Sequence, residues 1–280
     1  MELEQQLSRF IALQTVAGDK SANKQALEFL QQELTALAFA VEVLGNSNSE
    51  HDQPILVAKL GDTTLPTTLV LYTHYDVEKV HADEVCQTSP FALTSVNGRF
   101  FGRGIADNKA PLLLRIETIR QRIKQGRAMP PILWLIQGEE EVGAPLAHQL
   151  FPELLSKTQA KLFLEETGYQ KEDQPMLFHV FDSTVQPSTA KALATDLGQA
   201  VFAGKFTTEH RHLTKFGACP FVKNLPVGAH YIGFGPNDAL ANIHQANESI
   251  SIELLAFYAE QFDRFLDWCL TFNLASYELN

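Results

Sequence analysis

The chain has 280 residues, 45% hydrophobic and 20% charged, the balance of a globular protein with a core large enough for one large domain or two small ones. Thirty-three acidic residues against 22 Lys plus Arg give a formal net charge of -11 with no basic block, which argues against nucleic acid as a partner. The opening MELEQQLSRF lacks the basic start and apolar stretch of a signal peptide, and no later run is long enough to span a bilayer, so a soluble, cytoplasmic protein without a membrane partner is expected.

In chain order, Leu3, Leu7, Phe10 and Ile11 recur at helical spacing. Leu27, Leu30, Leu34 and Leu37 do the same after a start signal at Ser21 to Asn23, so two amphipathic helices open the chain. Short apolar runs bounded by Gly, Pro or polar residues follow at 54 PILVAKL, 68 TLVLYTH, 131 PILWLIQ, 161 KLFLEE and 228 GAHYIGF, the pattern of buried strands. The stretch 93 LTSVNGRFFGRG reads as a hairpin, because Asn97-Gly98 supplies the positive-φ pair of a tight two-residue turn. Helical patterns lie between these runs at about 108–124, 144–155, 187–202 and 248–273. The alternation predicts an α/β fold with a mixed, largely parallel central sheet and helices on both faces, in one domain over 1–280. Cys86, Cys219 and Cys269 are far apart without CxxC spacing, so neither a disulfide framework nor a thiolate metal knuckle is expected.

Five clusters carry chemistry. His74 and Asp76 close the apolar run in 71 LYTHYDV, at the strand end where open sheets gather their sites. Side chains two apart on a strand share a face, so Asp76 is positioned to hold the second ring nitrogen of His74. Asp107 sits in 102 GRGIADNK after two glycines and before a helix, as a ligand or as an N-cap. Glu139, Glu140 and Glu141 end the strand 131 PILWLIQ, either as a solvated run or as acids neutralised by a cation. Glu165 and Glu166 end another buried strand, and His244 lies in the Gly- and Asn-rich loop 235 GPNDALANIHQANE. Two histidines with several carboxylates suit Zn²⁺, Co²⁺ or Mn²⁺, and are numerous enough for two divalent metal ions; Ca²⁺ or Mg²⁺ would call for oxygens alone.

These motifs resemble the M20 family of metallopeptidases and deacylases. Here 74 HYDV is similar to the family's HxDV, 102 GRGIADNK to GRGxxDxK, 138 GEEEVG to GDEExG, 164 LEETG to its strand-end E-x-T-G, and 244 HQANE to HxxNE. The linking stretch from 89 SPF to 98 GRFFGRG and the turn 217 GACPF also resemble the family's. The resemblance implies a zinc-exopeptidase-like catalytic domain. In it Asp107 bridges two ions, His74 and Glu165 complete one site, Glu141 and His244 the other, and Glu140 is the general base. It implies hydrolysis of an amide or peptide bond in a small N-acyl amino acid or dipeptide by a metal-activated water.

The chain departs from the family in one respect. Only about twenty residues, 169–186, stand where the family inserts a dimerisation and lid domain, so a monomer with an open cleft is expected. His179, His210 and His212 are candidates to replace the lid's oxyanion donor, while HRH at 210–212 reads equally as an exposed loop. The rival readings are a monomeric M28-like aminopeptidase and a catalytically inactive metal- or peptide-binding module. Retention of Glu140 and of a competent residue at every ligand position favours the enzyme.

Overall fold

The computed structural model describes residues 2–45, 53–165, 167–202, 204–212 and 225–278. Two helices open the chain, α1 (Glu2–Ile11) and α2 (Lys20–Thr35). The second begins slightly before the expected Ser21 signal, because the Asp19 carboxylate caps it by accepting the Ala22 N–H at 3.0 Å.

The apolar runs become strands β2 (Ile55–Leu60), β3 (Leu69–His74), β6 (Ile132–Gln137), β7 (Leu162–Leu164) and β11 (His230–Gly233), with β1 (Ala40–Leu44) preceding them. The hairpin is β4 (Thr94–Val96) and β5 (Arg99–Phe101), turned by Asn97 at φ 49° and Gly98 at φ 74°. Helices α3 (Ala110–Lys124), α4 (Pro145–Ser156) and α5 (Pro187–Val201) fall where helical periodicity placed them. Strands β8 (Gln170–Lys171) and β9 (Gln174–Phe181) form a second hairpin, turned by Glu172 at φ 50° and Asp173 at φ 59°. The chain continues through β10 (Thr207–His212) and closes with β12 (Ser249–Ser251), α6 (Ile252–Thr271) and α7 (Ala275–Glu278).

The main sheet runs β1-β2-β6-β3-β7-β11-β9-β10, with β8 on β9. Its centre, β6, β3, β7 and β11, is mutually parallel; β1 pairs antiparallel with β2, β2 with β6, and β9 with β11. The mixed, mostly parallel sheet expected from the sequence is thus present, with its carboxyl ends at His74, Gln137, Leu164 and Gly233. The residues 169–186 are not a separate layer: β9 enters the sheet between β11 and β10.

Alternation along β3 explains the two cores. Leu69 and Leu71 pack with α1, α2, α3, α5 and α6, whereas Val70 and Tyr72 pack with Ala147, Phe151 and Leu155 of α4. Both faces are therefore covered, which is why every residue of β3 and β6 is buried. Each fully buried leucine stabilises by roughly 2 kcal/mol.

Three local expectations are corrected. The helix expected over 248–273 starts only at Ile252, because residues 249–251 pair with β5 as β12 and Ser251 then caps α6 through its hydroxyl on the Leu254 N–H. Asp107 is not an N-cap: it lies in a π-turn, Ile105–Lys109, ahead of α3, with non-helical φ/ψ and a cis peptide to Asn108. The loop reading of 210–212 gives way to β10, an edge strand whose His210 registers on His179 of β9.

Candidate metal centre

The parallel strand ends and the loops after them bring five of the named side chains into one cluster. His74 closes β3, and its Nε2 lies 3.0 Å from Asp107 Oδ1. The other Asp107 oxygen lies 3.5 Å from His244 Nε2, so one carboxylate reaches both histidines. His244 Nε2 also lies 2.8 Å from Glu141 Oε2. Donor atoms converge as two groups, His74 with Glu140 and Glu141, and Asp107 with Glu141 and His244, each within 4.8 Å of one another.

The three consecutive acids are resolved by direction. Glu139 turns into the protein, where its two oxygens accept the N–H groups of Gln53 at 2.8 Å and Leu146 at 3.1 Å, the latter in the first turn of α4. Glu140 and Glu141 stand in a short 3₁₀ turn, Glu140–Val142, and face the cluster.

Asp76 does two things. Its backbone carbonyl takes the His74 Nδ1–H at 3.1 Å, while its carboxylate Oδ1 stands 3.3 Å from the same nitrogen. Its Oδ2 accepts the Glu141 N–H at 3.0 Å. The ring is therefore oriented chiefly by the main chain, and the carboxylate, expected to hold the ring, also ties the Glu141 turn to β3.

Glu165 follows β7, its N–H bonded to Ile232 O at 2.7 Å. It is close enough for Asp107 and Glu140 to act on its charge, but it does not join either converging donor group. The partner of His74 there is Glu140. Glu166 and the stretch 217–221 lie outside the described residues.

The electrostatics are those of crowded, partly dehydrated acids. Burial raises Glu140 to about 7, aided by Asp107, Glu141 and Asp76 and opposed by His74. Burial likewise raises Glu165 to about 7, against a hydrogen bond from Tyr231. Hydrogen bonds to Asp107 and Glu141 raise His244 to about 10. Asp107 stays well below the usual carboxylate range because the bonds from His244 and His74 outweigh its burial.

Supporting residues that motif reading passed over surround this cluster. Glu248, the last residue of 244 HQANE, is buried and accepts the N–H groups of Gly104 at 2.7 Å, Ala106 at 3.0 Å and Asp107 at 3.3 Å. Arg103 Nε lies 3.4 Å from it, and Arg103 also pairs with Glu84. Buried Arg115 donates to Tyr72 O at 3.0 Å, to Tyr258 Oη at 2.8 Å and to Glu165 O, fastening the ends of β3 and β7 together. Position within the motifs was the only signal for Glu248 and Arg103; Arg115 had none.

Of the candidate oxyanion histidines, His179 and His210 do not join the cluster. His179 is fully buried, its Nε2 3.0 Å from His230 Nδ1, and the His210 ring meets it edge-on at the sheet edge. The side chain of His212 lies outside the described residues.

The donor set fits divalent cations of the zinc type. Imidazole nitrogens and carboxylates converge, and the buried Glu141 Oε1 has no hydrogen-bond partner among the described residues.

The model of the peptidase family M20/M25/M40 matches residues 70–268, and the chain belongs to that family. It is 28% identical over 269 residues to the Cys-Gly metallodipeptidase dug1 of Schizosaccharomyces pombe, covering 89% of this chain and 55% of that protein. It is 36% identical over 98 residues to the Beta-Ala-His dipeptidase of Mus musculus, covering 35% of this chain and 20% of that one. The chain thus spans about half, or less, of the curated relatives it matches. Human carnosine dipeptidase 1 shares the fold with a TM-score of 0.74 at 12% identity, covering 97% of each chain. No helix among the described residues is long and apolar enough to cross a membrane.

Proposed function

We propose that the chain is a metal-dependent hydrolase of amide bonds in small substrates, with dipeptides the foremost class. The observation that carries this reading is Glu140, a half-buried carboxyl raised to about 7 that stands beside His74 and Glu141. A general base is most effective when its pKa lies near the working pH. The names of the relatives, Cys-Gly and Beta-Ala-His dipeptidases, support dipeptides as the first substrates to test.

His74, Asp107, Glu141, Glu165 and His244 would hold two divalent ions, zinc or alternatively cobalt or manganese. Such ions, when bound, acidify a water and polarise a scissile carbonyl. Asp107 and His244 hold each other in place, and the Asp76 carbonyl fixes the His74 tautomer that leaves Nε2 facing the cluster. The Glu140 carboxylate accepts the proton of the attacking water and returns it to the departing amine. We further propose a single catalytic domain over 1–280, acting as a monomer, with the β8–β9 hairpin in place of a lid.

The test measures metal content by elemental analysis together with amine release from a panel of dipeptides and N-acyl amino acids. Chelator-sensitive turnover is expected, and Glu140→Gln should keep the metal while losing about a hundredfold or more in kcat. Bound metal with no turnover across the panel would replace this reading with that of a binding module.

A further inference from the structure

A cavity of about 400 Å³ opens at the end of the sheet opposite the His74–His244 cluster. That volume lies within the ~300–1,000 Å³ typical of small-molecule sites. The metal-centre residues follow the carboxyl ends of β3 and β7, whereas this cavity is lined by Lys161, just before β7, and by His230, the first residue of β11.

Three features of the cavity favour an anion. The first is the amino end of α5, which begins without a capping side chain and without an acid in its first turn, and whose Gln186 and Thr189 line the wall. The second is the ammonium of Lys161, anchored at 2.6 Å on Val227 O. The third is His230: it is fully buried, it lines the cavity, and its Nε2 has no hydrogen-bond partner among the described residues. A buried polar nitrogen without a partner is destabilising, and a ligand atom in the cavity would relieve it. No carboxylate is among the described lining residues.

An anion in the cavity selects between the two tautomers of the His179–His230 pair. One hydrogen is shared across the 3.0 Å between His179 Nε2 and His230 Nδ1. When His179 donates it, His230 carries its own hydrogen on Nε2 and presents a donor. Burial, with Lys161 nearby, holds His230 down to about 4, so the ring stays neutral with a single N–H, which faces the cavity when His179 is the donor. Val185, Val227 and Leu274 form an apolar wall suited to a short carbon skeleton.

We propose that this cavity is a second ligand site, separate from the metal centre, that takes a small carboxylate or phosphate on Lys161, His230 Nε2 and the amino end of α5. Strand β11 joins the two regions: His230 begins it, and Gly233 ends it so close to Glu165 that an added Cβ would stand 2.9 Å from the Glu165 Cβ.

The test titrates the full-length, metal-loaded protein with inorganic phosphate and, separately, with isobutyrate, following ¹³C-labelled histidine rings by NMR. The His230 signal is assigned by its loss in His230→Gln. A saturable shift of His230 with either anion is expected, and the anion that binds more tightly names the class. Lys161→Met, which leaves the buried pair intact, should weaken that binding about tenfold. Shifts confined to His74 and His244, no shift with either anion, or a Lys161→Met titration identical to wild type would overturn the proposal.

Discussion

The Glu248 carboxylate accepts the backbone N–H of Asp107 at 3.3 Å, although 141 residues separate them. Its oxygens also hold Gly104 and Ala106, and Glu248 lies four residues beyond His244. One buried side chain thus clamps the Asp107 turn to the loop that carries His244. The latter is itself held in the left-handed region at φ 61°.

Glu248→Ala should destabilise the protein by about 3–5 kcal/mol, because it strands three N–H groups and takes a carboxylate from buried Arg103. Glu248→Gln keeps one carbonyl acceptor and should lose less. Denaturant unfolding measures the first effect and metal titration the second. Wild-type values for both in the alanine variant would remove the clamp from the account.

Asp76→Asn should weaken metal affinity about 10- to 100-fold while leaving the fold intact. The Asp76 carbonyl still orients His74, and the amide oxygen can still accept the Glu141 N–H. The charge beside His74 Nδ1 is what disappears. Competition against a chelator of known affinity reads the change, and an unchanged affinity would make Asp76 purely structural.

The stabilisation conferred by bound metal should grow as pH rises from about 5 to 8. In the metal-free protein Glu165 is raised to about 7 and His244 to about 10, and each holds a proton that a cation must displace. His244 is raised above its unfolded value, so its contribution to metal-free stability is complete below about 6.5 and is lost as pH rises through about 10. For Glu165 the folded state keeps a proton that the unfolded chain releases near 4.5, so metal-free stability falls between about 4.5 and 7. Subtracting the Tm of chelated protein from that of loaded protein cancels the remote His179–His230 pair. A difference independent of pH would contradict these protonation states.

Gly104→Ala should be among the most damaging substitutions in the chain. Gly104 has φ 76°, and an added Cβ would stand 2.0 Å from Val77 Cγ1. Overpacking of this kind costs about 1–3 kcal/mol, and the left-handed backbone adds about 1 kcal/mol more. Because Asp107 lies three residues on, metal occupancy should fall with stability; thermal unfolding and elemental analysis test both.

The sequence by itself determined the sheet's central strands, the hairpin at Asn97-Gly98 and the identity of the clustered acids and histidines. Periodicity, turn chemistry and residue type are local properties, and the motifs that carry His74, Asp107, Glu140, Glu141 and His244 are short. Only the tertiary structure decided that Glu139 caps α4 while its two neighbours face the cluster, since direction within a run of identical acids depends on which distant N–H groups await them. It alone decided that β9 and β10 enter the sheet and carry His179 and His210 away from the cluster of His74, Asp107, Glu141 and His244. The same holds for Arg115, whose partners Tyr72, Glu165 and Tyr258 come from three separate stretches. Such contacts form between residues far apart in the chain, and their cause is the shape of the folded core, which no local window of sequence contains.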